Sequence, residues 1–316
     1  MTNRVLAGKA IFLRRVLLGS NEKRGLIFTL LLYSVVFIFC YVFIYPILFM
    51  FVTSVKSLSD LIGDTVVWIP SGINLSNYAE AIKVLDFKNA LWDTLLLTLL
   101  PTACQIITAS LTGYGLAQFE FRGKKPFIAL LILGFITPRI ATMMPTYVMY
   151  KQMNLIGSVN AVVFPAALGQ GLNAAIIILV FYQFYRQISG SVIEAAKLDG
   201  CGQPRIFLRI ALPSVMSAFI IAFIFSFVWY WNETTLVGIF VTNTSYGGGS
   251  ARTTLLINLQ NFENYYKALY GGDSLIKLSE SVVMAGTALC VAPLILLYFV
   301  LQRFFVQSID MVGIKD

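Results

Sequence analysis

The sequence has 316 residues, of which 58% are hydrophobic and 12% charged, and its mean hydropathy is +0.80. A soluble domain carries about 25% charged residues, so this composition excludes an ordinary soluble domain and indicates an integral membrane protein. The net charge is +8 and the sequence contains no histidine, which argues against histidine-ligated metal sites and a histidine general base. The basic residues fall between apolar segments, where the positive-inside rule explains them without nucleic-acid binding.

Six apolar segments are long enough to cross the hydrocarbon layer, which takes about 20 residues. The first carries no charge and is too long for the apolar part of a signal peptide, roughly 7 to 15 residues, so it is predicted to remain as a membrane anchor. The third is interrupted by Pro138 and Pro145, which predict a broken helix. The six predicted spans are 26–53, 94–119, a segment from 126 onward, part of 155–185, about 210–232, and 281–302.

This pattern predicts an all-α, polytopic membrane protein with six transmembrane helices. We expect one transmembrane domain over 26–306, between an N-terminal segment (1–25) and a C-terminal tail (307–316). Most of the 23 lysine and arginine residues flank the spans on the side shared with the N-terminus. The positive-inside rule therefore places both termini in the cytoplasm, together with the stretch 190–213 between the fourth and fifth spans.

The stretch 190–213 has the pattern of two short helices joined by a turn. Its first half is amphipathic, with Glu194 on the polar face. Asp199 and Gly200 end this helix, because glycine tolerates the left-handed conformation that closes helices, and Pro204 suits the first turn of the next helix. The sequence thus predicts a helix, a turn and a helix on the cytoplasmic surface. An ordinary interfacial connector, whose arginines reach lipid phosphates, would have the same composition.

The spacing within this stretch resembles the signature loop of bacterial ABC importer permeases. The residues that carry the resemblance are Glu194, Ala195, Ala196, Gly200, Ile210, Leu212 and Pro213. Other segments are similar to the second permease of maltose-type carbohydrate importers, and these are 145–147, 155–157, 231–233 and 302–306. The resemblance covers most of the chain from the first span onward, whereas the last residues of the tail depart from the commoner family ending.

In that family the loop is a coupling helix that docks into a cleft on the nucleotide-binding subunit. The docking residues that the resemblance implies are Glu194, Ala195, Ala196, Asp199, Gly200 and Arg205. Of these, Glu194 is expected to make the charged contact, Gly200 to form the turn, and the two alanines to pack closely in the cleft.

The resemblance also implies an importer that carries a sugar, such as an oligosaccharide, through the bacterial plasma membrane by alternating access. The implied protein partners are a homologous second permease, two cytoplasmic ATPase subunits that bind ATP and Mg, and an extracytoplasmic solute-binding protein. The chain is also expected to contact membrane lipids. This chain is expected to be non-catalytic and to bind no cofactor or metal. Its segment Gly123, Lys124 and Lys125 lacks the spacing and the hydroxyl of a phosphate-binding loop, so the energy must come from another chain.

Polar residues at membrane depth are candidates for a transport pathway. The candidates are Arg139, Gln170, Asn173, Trp231, Asn232 and Glu233. Each has another interpretation: Arg139 could be an interfacial residue where its span ends early, and the group around Glu233 could be an aromatic belt with a hydrogen bond between helices. Gln170 and Asn173, in the fourth span, could likewise bridge helices instead of lining the route.

Two other classes of function stay open at this point. An ion-coupled secondary transporter or channel would need membrane-buried acids or a repeated broken helix, and the sequence offers one such acid, Glu233, and no clear repeat. A membrane-embedded enzyme would need a cluster of acid, base or metal-binding residues. The absence of histidine argues against that class.

Overall fold

The structure is a computed structural model that describes residues 19–20, 23–63, 68–242, 252–271 and 278–313. The regular secondary structure of these residues is helical apart from one antiparallel pair of two-residue strands, β1 (Gly19–Ser20) and β2 (Lys23–Arg24), in which Gly19 pairs with Arg24. The all-α prediction is therefore confirmed for the described part of the chain. Most of the predicted N-terminal segment lies outside these residues.

Fifteen helices follow one another along the described chain. They are α1 (Leu26–Ser54), α2 (Leu58–Ile62), α3 (Ser76–Val84), α4 (Phe87–Gln118), α5 (Lys124–Ile136), α6 (Arg139–Gln152), α7 (Asn160–Ala167), α8 (Ala174–Arg186), α9 (Gly190–Leu198), α10 (Gln203–Ser214), α11 (Met216–Trp231), α12 (Thr235–Phe240), α13 (Leu255–Gln260), α14 (Phe262–Tyr270) and α15 (Glu280–Gly313). Helix α10 contains a π-helical stretch, Phe207–Ala211. Helix α15 continues through most of the predicted tail.

Three single helices are long and apolar enough to cross a membrane: α1, α4 and the segment Glu280–Arg303 of α15. Three helix pairs also qualify by length and composition but are sharply bent, namely α5 with α6 (97°), α8 with α9 (72°) and α10 with α11 (74°). A multi-pass membrane protein is thus confirmed, while the count of six spans holds only if each bent pair forms one span. The break predicted at Pro138 is present, since this residue precedes α6.

Residue contacts divide the chain into two compact units, Met1–Tyr78 with Ser279–Ala288, and Ala79–Leu278 with Leu289–Asp316. In the first unit, the 29 residues of α1 extend about 43 Å at 1.5 Å per residue, enough for a bilayer core of about 30 Å. The side chains of α1 are exposed along nearly its whole length. Its end is fixed by Asn77, whose Nδ2 donates 2.9 Å hydrogen bonds to the carbonyl oxygens of Ser54 and Lys56.

The second unit is built around α4, which packs against α7, α8, α11 and α13. The closest approach is to α8, because a Cβ added at Gly113 would lie 2.6 Å from Cβ of Phe181. Small residues permit close helix packing, and Gly113 has this role, whereas nothing lies within 4 Å of a Cβ at Gly115. A 2.8 Å hydrogen bond between the hydroxyls of Ser110 and Tyr185 joins the same two helices.

Candidate functional site

The predicted helix, turn and helix is present as α9, residues 199–202 and α10, which we call the two-helix element. Gly200 has φ +74°, the left-handed conformation that favours glycine. The N–H of Gly200 donates to the carbonyl of Lys197, and the N–H of Cys201 donates to that of Ala196, both at 3.0 Å. These two bonds close the C-terminus of α9, as the sequence predicted.

An apolar core holds the two-helix element together. Ile193 and Ala196 of α9 are buried against the fully buried Ile206 of α10, and Ile188, Cys201 and Ile210 pack around them. Ala196 is only 6% exposed. This corrects the expectation that both alanines pack into a partner's cleft, because the side chain of Ala196 supports the element from inside.

The opposite face of the two-helix element is exposed. The predicted docking residues on this face are Glu194, Ala195, Asp199, Gly200 and Arg205. Leu198, an apolar residue, is also 89% exposed. Its distance of four residues from Glu194 could have indicated the outer face, because residues four apart share one side of a helix.

Aromatic side chains fasten the two-helix element to the helices behind it. The ring of Phe207, at the start of the π-helical stretch, lies 4.9 Å from that of Tyr114 on α4 and 6.3 Å from that of Tyr185 on α8, measured between centroids. The Gln118 amide at the end of α4 donates a 2.9 Å hydrogen bond to the carbonyl of Tyr185. The element is therefore attached to both α4 and α8.

Three of the six pathway candidates meet in what we call the charged cluster, formed by Arg139, Asn173 and Glu233. Nη1 of Arg139 lies 3.6 Å from Oε2 of Glu233, and Nη2 donates a 3.1 Å hydrogen bond to Oδ1 of Asn173. The other carboxylate oxygen of Glu233 accepts a 2.9 Å bond from the N–H of Leu236. The Arg139 side chain is 43% exposed and that of Glu233 17%, so the pair is open to the surface on the arginine side.

The other three candidates are not brought into the charged cluster. Trp231 is buried and stacks on Phe227 with 5.6 Å between ring centroids, which corrects the prediction that its face is available to a sugar. Asn232 is exposed and donates a 2.8 Å hydrogen bond to Val228 of its own helix. Gln170 is exposed in the loop before α8.

A buried polar network beside the charged cluster was not predicted. Gln105 of α4 donates through Nε2 to the carbonyl of Leu172 at 2.9 Å and to the hydroxyl of Ser226 at 3.2 Å. Its Oε1 accepts a 2.8 Å bond from the hydroxyl of Tyr230, which in turn accepts from the N–H of Leu172 at 3.0 Å. An added Cβ at Gly171 would overlap both polar groups. The network fixes α4, α11 and the start of α8 against one another.

The side chains of the charged cluster are suited to hydrogen bonding. Within the described residues, no three histidine, cysteine, aspartate or glutamate side chains come together as metal ligands. The charged cluster instead offers guanidinium donors and carboxylate and amide acceptors. Such groups can form hydrogen bonds with a polar solute.

Comparisons with known proteins identify a family and several relatives of the chain. Residues 105–311 match the family described as the binding-protein-dependent transport system inner membrane component. The chain is 23% identical to the polygalacturonan/rhamnogalacturonan transport system permease protein YtcP of Bacillus subtilis, over 92% of this chain and 98% of that protein. It is 26% identical to the lactose transport system permease protein LacG of Rhizobium radiobacter, over 87% and 93%.

The fold is also similar to that of a solved structure. The match is to a crystal structure of a bacterial ABC transporter involved in the import of the acidic polysaccharide alginate, with a TM-score of 0.72 and 20% identity, over 88% of this chain and 96% of that one. At this identity the likeness concerns the fold. Because the family match covers more than half of the sequence, the chain belongs to the family of binding-protein-dependent transport system inner membrane components.

Proposed function

We propose that the chain is the permease subunit of an ATP-driven importer that moves a carbohydrate, such as an oligosaccharide, into a bacterial cytoplasm. A member of this family is the membrane component, and ATP hydrolysis belongs to a separate subunit. The carbohydrate is supported by the relatives YtcP and LacG, whose names give polygalacturonan or rhamnogalacturonan and lactose as cargo. Family membership favours this function over an ion-coupled transporter or channel.

The proposed complex contains a second, homologous permease, two cytoplasmic ATPase subunits that bind ATP and Mg, and an extracytoplasmic solute-binding protein. In it the chain crosses the plasma membrane six times: through α1, α4 and α15, through the bent pair α5/α6, and through two spans that contain α8 and α11 on either side of the two-helix element. The distribution of lysine and arginine supports placing both termini and the two-helix element in the cytoplasm.

The observation that supports the mechanism is that α8 connects the charged cluster to the two-helix element. Asn173, in the charged cluster, immediately precedes the first residue of α8, and three residues separate the last, Arg186, from α9. The 13 residues of α8 place these ends about 20 Å apart. A displacement of the two-helix element by the ATPase would move α8 and α4 together, because aromatic packing and buried hydrogen bonds join them. We propose that this rigid-body movement changes the partners of Arg139 and so opens or closes the pathway.

In this mechanism Glu194 makes the charged contact with the ATPase, with Ala195, Asp199, Gly200, Arg205 and the exposed Leu198 around it. The charged cluster lies along the sugar route, where an ion pair offers both donors and acceptors to hydroxyl groups. Neither role requires chemistry by this chain.

A charge reversal at Glu194 tests the docking role. In the reconstituted complex, Glu194→Lys is expected to abolish carbohydrate uptake while the ATPase still hydrolyses ATP, because the charged contact with the ATPase is lost. The side chain is exposed, so the change leaves the folded chain intact. The matched control is Glu263→Lys on α14, which has the same charge change on an exposed glutamate (66% exposed side chain) outside the two-helix element. Normal uptake by Glu194→Lys, or an equal loss in the control, would contradict docking at this face.

A further inference from the structure

A basic cavity of about 490 Å³ opens between the end of α4, the start of α5 and the end of α8. It is distinct from the charged cluster and from the exposed face of the two-helix element. Its charged lining residues are Glu120, Lys124, Lys125 and Arg186. Three cations against one acid give the cavity a net positive charge.

One of these cations, Lys124, is paired with Glu120. Nζ of Lys124 lies 2.8 Å from Oε1 of Glu120 and donates a 3.2 Å hydrogen bond to the carbonyl of Phe119. The hydrogen bond and the positive charge of Lys124 hold the pKa of Glu120 below its usual value, so this carboxylate stays ionised and offsets Lys124. The positive excess of the cavity therefore rests on Lys125 and Arg186.

Arg186 is held against the side chain of Tyr182. Its guanidinium carbon lies 5.6 Å from the centroid of the Tyr182 ring, and Nη1 donates to the hydroxyl of the same tyrosine at 3.4 Å. The side chain is nonetheless exposed, and a guanidinium has five N–H donors. Donors thus remain for a phosphate, which arginine binds in a bidentate manner.

Most of the remaining lining is apolar, and it adjoins a helix whose side chains are not buried. Its apolar side chains are Ala117, Phe121, Pro126 and Ile128. Helix α5 begins at the cavity, is apolar beyond its first turn and has no buried residue along its 13 residues. The cavity therefore lies where an exposed apolar helix surface meets a basic turn, which is the level of lipid head groups in a membrane protein.

We propose that this cavity binds the phosphate of an anionic phospholipid, held by Lys125 and Arg186, with the apolar lining against the glycerol and upper acyl chains. Basic pockets between membrane helices suit anionic head groups in this way. A free phosphate ion has the same charged group but makes no use of the apolar wall, so the cavity favours the lipid. The bound lipid contacts the end of α8, next to the two-helix element.

Native mass spectrometry of the full chain in a neutral detergent tests the site. Phosphatidylglycerol, phosphatidylcholine and inorganic phosphate are titrated separately, and the fraction of chain carrying one bound molecule gives each affinity. The chain is expected to prefer phosphatidylglycerol. Lys125→Gln with Arg186→Gln is expected to weaken that binding about fivefold for each cation removed, since one surface cation contributes about 1 kcal/mol.

The matched control is Arg122→Gln with Arg209→Gln, two exposed arginines that do not line the cavity. An equal loss of phosphatidylglycerol in this control would overturn the site, because the effect would then be one of net charge. Equal binding of phosphatidylcholine, or displacement of the lipid by an equal concentration of inorganic phosphate, would also overturn it. Lys125→Arg with Arg186→Lys keeps both cations and must retain the lipid, which separates loss of charge from loss of fold.

Discussion

The two-helix element and the charged cluster stand at opposite ends of α8 and are built in opposite ways. The element has an apolar interior, around Ile206, and leaves its polar side chains on an exposed surface. The cluster directs its polar groups at one another, through contacts of Arg139 with Asn173 and Glu233. The first arrangement suits a rigid element whose exposed surface another protein can bind. The second suits a contact that can exchange partners when its helices move.

Among changes to the packing and geometry of the two regions, the largest effect is expected from disturbing the turn of the two-helix element. Gly200→Val puts a β-branched residue at φ +74°, a strain of about 1 to 3 kcal/mol. The turn is expected to open, and carbohydrate uptake by the reconstituted complex to fall about tenfold or more, while the chain still inserts into the membrane.

The control for this change is Gly190→Val at the start of α9. Nothing lies within 4 Å of a Cβ at Gly190 or at Gly200, but only Gly200 has a positive φ. A difference in uptake between the two variants therefore reports the turn. Equal uptake by both would show that the geometry of this turn is unimportant for coupling.

A smaller effect is expected from disturbing the packing of α4 on α8, the helix that connects the two regions. Gly113→Ala would push Cβ against Phe181 and the backbone of Tyr182, and overpacking of this kind costs about 1 to 3 kcal/mol. Thermal unfolding in detergent should therefore show a lower midpoint. The same change at Gly115, two residues along α4, meets nothing within 4 Å and is expected to leave the midpoint unchanged or raise it. The reverse order would refute close packing of α4 on α8.

The smallest effect is expected at the charged cluster. The Arg139 to Glu233 contact is long and partly exposed, and such pairs contribute about 0.2 to 1 kcal/mol. In a double-mutant cycle of Arg139→Gln and Glu233→Gln, measured on uptake kinetics, the double variant should be less impaired than the sum of the single variants. Strict additivity would mean that the two side chains do not act as a pair.

Local chemistry in the sequence was enough to predict several features. Pro138 marks the break between α5 and α6, and Gly200 closes α9, because both depend on the conformational limits of a single residue. The apolar spans were found for a similar reason, since hydropathy is a property of each segment by itself. The positions of these features along the chain therefore required no knowledge of the tertiary structure.

Features that depend on contacts between distant residues were missed or misplaced. Gln105 and Tyr230 are 125 residues apart in sequence, and no local pattern indicates that their side chains meet. Trp231 was assigned to the pathway because it is aromatic and next to polar residues, but packing on Phe227 buries it. The family resemblance predicts that Ala195 and Ala196 both pack in the partner's cleft, but Ile206 from the next helix buries Ala196.

Photocross-linking tests the central claim, that the ATPase binds the two-helix element, which follows the C-terminal end of α8. A maleimide benzophenone reagent would be attached to Leu198→Cys in the assembled complex, after replacement of the four native cysteines. Leu168→Cys, in the loop before α8 and 62% exposed, serves as the probe at the opposite end of the helix. We predict that the Leu198 probe cross-links the ATPase subunit and the Leu168 probe does not. Cross-linking of the ATPase from Leu168 but not from Leu198 would contradict the account.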